Sequence, residues 1–83
     1  MKYLVLTFRT KRFRTDVLDA HYAFLDRLRQ AGRLEIAGPF TDRSGGAYLL
    51  HADNLEEAKA LAFADPVHVE GCSTLTVYEW DAK

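Results

Sequence analysis

Cysteine, proline and long apolar runs are all scarce in this chain. One cysteine, Cys72, among 83 residues excludes a disulfide framework and any structural zinc site built on cysteines, since both need several. Two prolines and five glycines leave no linker or low-complexity segment. No apolar run approaches the roughly 20 residues that cross a bilayer. A surplus of charge is missing too. Lys and Arg number 11 against 12 Asp and Glu, a formal net charge of -1, whereas nucleic-acid-binding modules carry a clear positive excess. The opening Met1-Lys2-Tyr3-Leu4-Val5-Leu6-Thr7-Phe8 has neither the length nor the small-residue cleavage site of a signal peptide. What is present, 48% hydrophobic and 28% charged residues, is a globular mixture. The expectation is one cytoplasmic domain over residues 1–83, with no membrane and no nucleic acid among its partners.

Periodicity orders the chain. Lys2 to Arg9 alternates, with Leu4, Leu6 and Phe8 on one side and Tyr3, Val5 and Thr7 on the other, as a strand does. After the basic stretch Arg9 to Arg14, Thr15 or Asp16 can cap a helix reaching about Ala31. Its stripe is Val17, His21, Phe24, Leu28 and Ala31, widened by Leu18 and Leu25, and Gly32 suits the stop. Leu34 to Ala37 is a second strand that Gly38-Pro39 ends. Thr41 to Gly46 is a polar hairpin turn, and Ala47 to Ala52 a third strand. Asp53 or Asn54 opens a second helix with Glu56 or Glu57 completing a capping box, and Leu55, Ala58, Leu61 and Ala62 form its stripe. Pro66 ends it. Ser73 to Trp80 is the last strand.

The order βαββαβ predicts an α+β fold, the ferredoxin-like plait, with a four-stranded antiparallel sheet and two helices on one face. Two helices leave the other face bare. Either Leu4, Leu6 and Phe8 or Tyr3, Val5 and Thr7 then lacks a cover, and Tyr48 or Leu49, Tyr78 and Trp80 pose the same problem. A chain this short also buries only about 60–65% of its unfolded surface. Both facts predict a homodimer packed through the bare sheet face.

Few residues carry chemistry. His21 interrupts an apolar stripe where alanine or leucine would pack better, so its imidazole needs a partner. A core histidine on a backbone carbonyl satisfies that need as well as a functional one does. Asp65-Pro66 suits an N-cap and first position of a short turn Pro66-Val67-His68-Val69. Gly38-Pro39-Phe40 either terminates a strand or lines a pocket. Gly45-Gly46 lacks the context of a phosphate loop. His51 and His68 have no metal-ligand spacing, so no metal site is expected. Cys72 reads as a buried thiol. The cluster Arg9, Lys11, Arg12 and Arg14 is a solvated loop or a guide for an anionic ligand.

Taken together, these residues resemble the YciI-like (YCII-related) family of the dimeric α+β barrel superfamily. The likeness rests on Ala20-His21-Tyr22-Ala23-Phe24-Leu25, Gly32-Arg33-Leu34 leading to Ala37-Gly38-Pro39-Phe40, Ser44-Gly45-Gly46, Asn54-Leu55-Glu56-Glu57-Ala58, Ala64-Asp65-Pro66 and Gly71, in that order. The resemblance implies a small dimeric enzyme with a His–Asp pair, His21 and Asp65, in a pocket between the first helix and the sheet. One branch of that family is a lyase that eliminates HCl from a chlorinated aromatic intermediate without metal or organic cofactor. The basic Arg9-to-Arg14 connection and the short hairpin depart from longer members, so the substrate does not carry over.

An imidazole oriented by a carboxylate is a competent general acid and base. The expected function is thus a cofactor-independent lyase, isomerase or hydrolase acting on a small organic molecule. His21 is the expected base and Asp65 its orienter, with Gly38, Phe40 and His68 binding substrate. The rival reading is a non-catalytic small-molecule-binding or structural dimer. RNA binding, which this plait also supports, is disfavoured because Gly46-Ala47-Tyr48-Leu49-Leu50-His51 lacks the basic residue of the RNA-binding motif.

Overall fold

A computed structural model describes residues 1–83. The alternating segment Lys2–Arg9 forms β1, followed by a 3-10 turn over Thr15–Val17 and helix α1, Leu18–Gln30. Strands β2, Leu34–Pro39, and β3, Gly45–His51, make the hairpin. Helix α2, Leu55–Phe63, the short helix α3, Pro66–Val69, and strand β4, Ser73–Trp80, complete the chain. The strands lie in the order β2-β3-β1-β4 and every pairing is antiparallel. This is the ferredoxin-like plait. None of its helices is long and apolar enough to cross a membrane.

Antiparallel partners share a face, so the register settles which side of β1 is covered. Tyr3, Val5 and Thr7 stand opposite Leu50, Tyr48 and Gly46 on β3, and opposite Glu79, Val77 and Leu75 on β4. Tyr3, Val5, Tyr48 and Leu50 are buried with Phe24, Leu25 and Leu28 of α1 and Ala58 and Ala62 of α2. The second set, Leu4, Leu6 and Phe8, aligns with Leu49, Ala47 and Gly45 and with Tyr78, Thr76 and Thr74 on the face without helices. A smaller cluster of Val17, Val67 and Cys72 closes the end beneath α3, and the Cys72 thiol is fully buried there.

Several boundaries differ from the sequence expectation, each for a physical reason. Neither Thr15 nor Asp16 caps the first helix. Arg14 holds the Asp16 carboxylate at 3.0 Å, and the chain enters α1 through the 3-10 turn with no side-chain cap. At the other end Gly32 takes φ +75° while the Arg33 N–H reaches the Leu28 carbonyl at 2.9 Å, the wrapped helix ending that a left-handed glycine permits. Strand β2 continues through Gly38 and Pro39 rather than stopping there. It is an edge strand, where a missing N–H breaks no central ladder.

The hairpin turn is tighter than expected. Arg43 supplies its positive φ of 65°, and the Asp42 carboxylate takes the Ser44 N–H at 2.9 Å and its hydroxyl at 2.7 Å. Gly45 and Gly46 belong to β3 instead. A Cβ on Gly45 would stand 1.7 Å from the Thr7 carbonyl oxygen, and one on Gly46 2.7 Å from that of Gly38. Their role is close strand approach. Asn54 caps α2 by accepting the Glu57 N–H at 2.8 Å, and the Glu57 carboxylate reaches back to the Asp53 N–H at 3.2 Å, one residue before the N-cap N–H that a capping box uses.

Candidate active site

The cavity between α1 and the sheet exists because the residues beneath the helix are small. On the covered face the far end of the sheet presents Thr7, Gly46, Ala37 and Pro39, which cannot fill the space that Tyr3, Val5, Tyr48 and Leu50 fill further along. The result is a cavity of about 180 Å³. Its floor includes Thr7, Ala37, Gly38, Gly46 and Ser73, and its roof carries Leu18, His21, Tyr22, Leu25, Asp26 and Arg29 of α1. Arg9, Phe13, Tyr48 and Val67 stand at its sides.

His21 enters from the first turn of α1, and Asp65 meets it from the start of α3. The imidazole Nδ1 lies 2.8 Å from Asp65 Oδ1. Asp65 is 0% exposed, and a carboxylate so buried survives only if its lone pairs are used. They are. The Tyr48 hydroxyl donates to Oδ2 at 3.0 Å, and the Val67 N–H donates to Oδ1 at 3.0 Å. A carboxylate surrounded by donors takes Nδ1–H from the imidazole, which leaves Nε2 as the basic nitrogen.

No buried side-chain nitrogen or oxygen lacks a partner, and Nδ1 carries the ring's hydrogen bond. Nε2 therefore belongs to the 14% of the His21 side chain that stays accessible, and His21 is one of the residues that line the cavity. Tyr22 and Tyr48 hold the ring from two sides, at centroid distances of 5.4 and 6.4 Å. Burial first, then the Asp65 charge and hydrogen bond, raises the Tyr48 phenol far above its ordinary range. Tyr48 thus stays protonated and remains a donor to Asp65.

The two readings of Asp65 turn out to be one. It is the N-cap of α3 with Pro66 in the first turn, and the same carboxylate holds His21. Gly38 lines the cavity. Phe40 and His68 stand apart from it: Phe40 packs on Phe8, ring centroids 5.9 Å apart, and His68 hydrogen-bonds the Phe63 carbonyl at 3.0 Å while its ring lies 4.7 Å from that of Phe63. His51 is held by Glu35 at 2.9 Å. No group of three His, Cys, Asp or Glu side chains converges to hold a metal ion.

Sequence reasoning missed Tyr48, Tyr22 and Arg29. Arg29 carried a usable signal, because His21, Leu25 and Arg29 recur every four residues on one helix stripe. Tyr48 carried a weaker one. Its alternation with Leu50 was visible, but which face of the third strand met the helices was not.

The YCII-related domain model matches residues 1–81. The chain belongs to the YCII-related family. An uncharacterized protein of Bacillus subtilis (strain 168), YjpA, is 49% identical over 81 residues, covering 98% of this chain and 95% of that protein. Among solved structures, the chain resembles 5-chloro-2-hydroxyhydroquinone dehydrochlorinase from Burkholderia phenoliruptrix AC1100, solved with 2,5-dihydroxybenzoquinone. The TM-score is 0.84 at 21% identity, covering 100% of this chain and 96% of the other. At that identity the likeness is one of fold.

Proposed function

We propose that this YCII-related protein is a cofactor-independent acid–base enzyme, of lyase type before isomerase or hydrolase, acting on a small organic molecule. The observation that carries the reading is the His21 Nδ1–Asp65 Oδ1 contact of 2.8 Å, with Nε2 left accessible on a residue that lines the cavity. Nε2 accepts a proton from a C–H or O–H of the substrate. The electron pair released forms a new π bond, and a leaving group departs from the neighbouring carbon with its bonding pair. In an isomerisation the imidazolium instead returns the proton to another carbon. Asp65 stabilises the imidazolium throughout and keeps the ring from turning. The dehydrochlorinase that shares the fold lends support to an elimination.

The same reading includes a homodimer. Ile36, Tyr78 and Trp80 are 64%, 53% and 47% exposed, and Tyr78 and Trp80 stand opposite Leu4 and Lys2 of β1, on the face without helices. A second copy packed on that face covers them.

The function is tested by following halide release and solvent-deuterium incorporation with a panel of halogenated hydroquinones and enolisable ring ketones. Turnover that falls by about 10²–10⁴-fold in His21→Gln is the expected result. Saturable binding across the panel without turnover contradicts it and leaves a binding protein.

A further inference from the structure

Charge in the cavity does not balance. Two arginines line it, Arg9 and Arg29. Arg29 faces Asp26 at 3.4 Å, also on the lining. Asp65 is committed to His21, Tyr48 and the Val67 N–H. Arg9 pairs with no carboxylate, although Arg14 of the same basic stretch pairs with both Asp16 and Glu70. Its guanidinium lies 4.0 Å over the centre of the Phe13 ring.

That placement leaves its donors free. Stacking uses the flat face of a guanidinium and leaves the N–H groups pointing outward in the plane, where they match the two oxygens of a carboxylate. The Arg9 backbone is fixed as well, being the last residue of β1, paired with Ser73 and donating its N–H to the Ser44 carbonyl at 2.9 Å. A cation held this way is pre-organised for an anion. Cavity size limits what the anion is attached to. An apolar cavity of about 150 Å³ accommodates benzene, and this one is of about 180 Å³.

We propose that the cavity selects a ring-sized organic anion, a carboxylate or an equivalent pair of acidic oxygens, and that Arg9 is its specificity-determining residue. This rests on the acid–base reading above and names its substrate class. Arg9 fixes one end of the molecule by a forked contact, and the ring lies along Phe13 and Tyr22 with its reacting end toward His21. A neutral analogue of the same shape loses the contact to Arg9.

The test uses benzoate and its neutral counterpart benzamide as probes, followed by NMR of the intact protein at neutral pH. Benzoate is expected to shift the His21 ring and the Gly45 and Gly46 amides saturably, and benzamide to bind at least about tenfold more weakly. Arg9→Gln should lower benzoate affinity to that of benzamide, whereas Arg29→Gln, whose partner is Asp26, should lower it less. Equal binding of both probes, binding of neither, or benzoate binding untouched in Arg9→Gln overturns the proposal. None of these results bears on the His21 tautomer. A failed anion site is therefore distinguishable from a failed acid–base pair.

Discussion

Three donors converge on one buried carboxylate, and the two that are side chains have separate consequences when removed. His21→Gln removes the proposed base and is expected to lower turnover by about 10²–10⁴-fold while leaving the fold intact, because the side chain borders the cavity. Tyr48→Phe keeps the ring but strips Asp65 Oδ2 of its donor. A buried acceptor left unpaired costs about 1–3 kcal/mol, readable as a lower midpoint in urea. On the proposed acid–base reading Tyr48 positions the pair, so its loss should also loosen the His21 tautomer, an effect that a merely structural role would not produce. At this scale the sequence was partly legible. His21 stood out as a polar residue in an apolar stripe, and the resemblance paired it with Asp65. Phe40 and His68 lie away from the cavity lining, because closeness in sequence to Gly38 and Pro66 does not fix the direction of a side chain. Phe40 follows a strand end and reaches Phe8, and His68 turns back to Phe63.

Elements show which local signals prevailed. The cap of α2 was readable from Asn54, and Glu57 reaches back as the pattern suggests, though to the Asp53 N–H and not to that of Asn54. Asn54→Ala should cost about 1 kcal/mol of stability, measured by denaturant unfolding. The Asp53 N–H and then Arg33 hold the Glu57 carboxyl below its ordinary value of 4.5. A carboxyl with a lowered folded-state value contributes stability that is present above 4.5 and is lost as pH falls through the lowered value. Thermal unfolding of the wild type should therefore lose more between pH 7 and acid than that of Glu57→Gln. An identical pH profile for the two proteins would contradict this. The first helix was less legible. Thr15 and Asp16 look like caps, but the Arg14–Asp16 ion pair takes the side chain that would have served. Glycine was misleading in the hairpin, where composition suggests turn residues. Gly45 and Gly46 are instead fixed by the carbonyls of Thr7 and Gly38, contacts between paired strands that composition alone does not reveal. Gly45→Ala is expected to disrupt the β1–β3 end and destabilise the fold by about 1–3 kcal/mol.

For the molecule as a whole, the order of strands and helices was legible because each element carries its own period, and only one common architecture accepts βαββαβ with short connections. The orientation of the sheet was not. Both faces of β1 are apolar, and only the register with β3 and the packing of α1 and α2 decide that Tyr3, Val5 and Thr7 are covered. The uncovered residues are the basis of the proposed dimer. Replacing Ile36 and Trp80 together by glutamate should convert a dimer in sedimentation velocity to a monomer, since a charge on each outer strand of a face covered by a second copy is costly to bury. A wild-type chain that sediments as a monomer at high concentration would contradict the dimer.

The central claim is that Asp65 fixes His21 with its proton on Nδ1 and its lone pair on Nε2. Long-range proton–nitrogen correlation spectra of the neutral imidazole measure this directly, in the wild type and in Asp65→Asn. The expected result is a His21 ring protonated at Nδ1 in the wild type, and mixed tautomers in Asp65→Asn, whose single amide oxygen cannot serve His21, Tyr48 and Val67 together. A wild-type ring protonated at Nε2, or one that ignores the loss of the carboxylate, would contradict it.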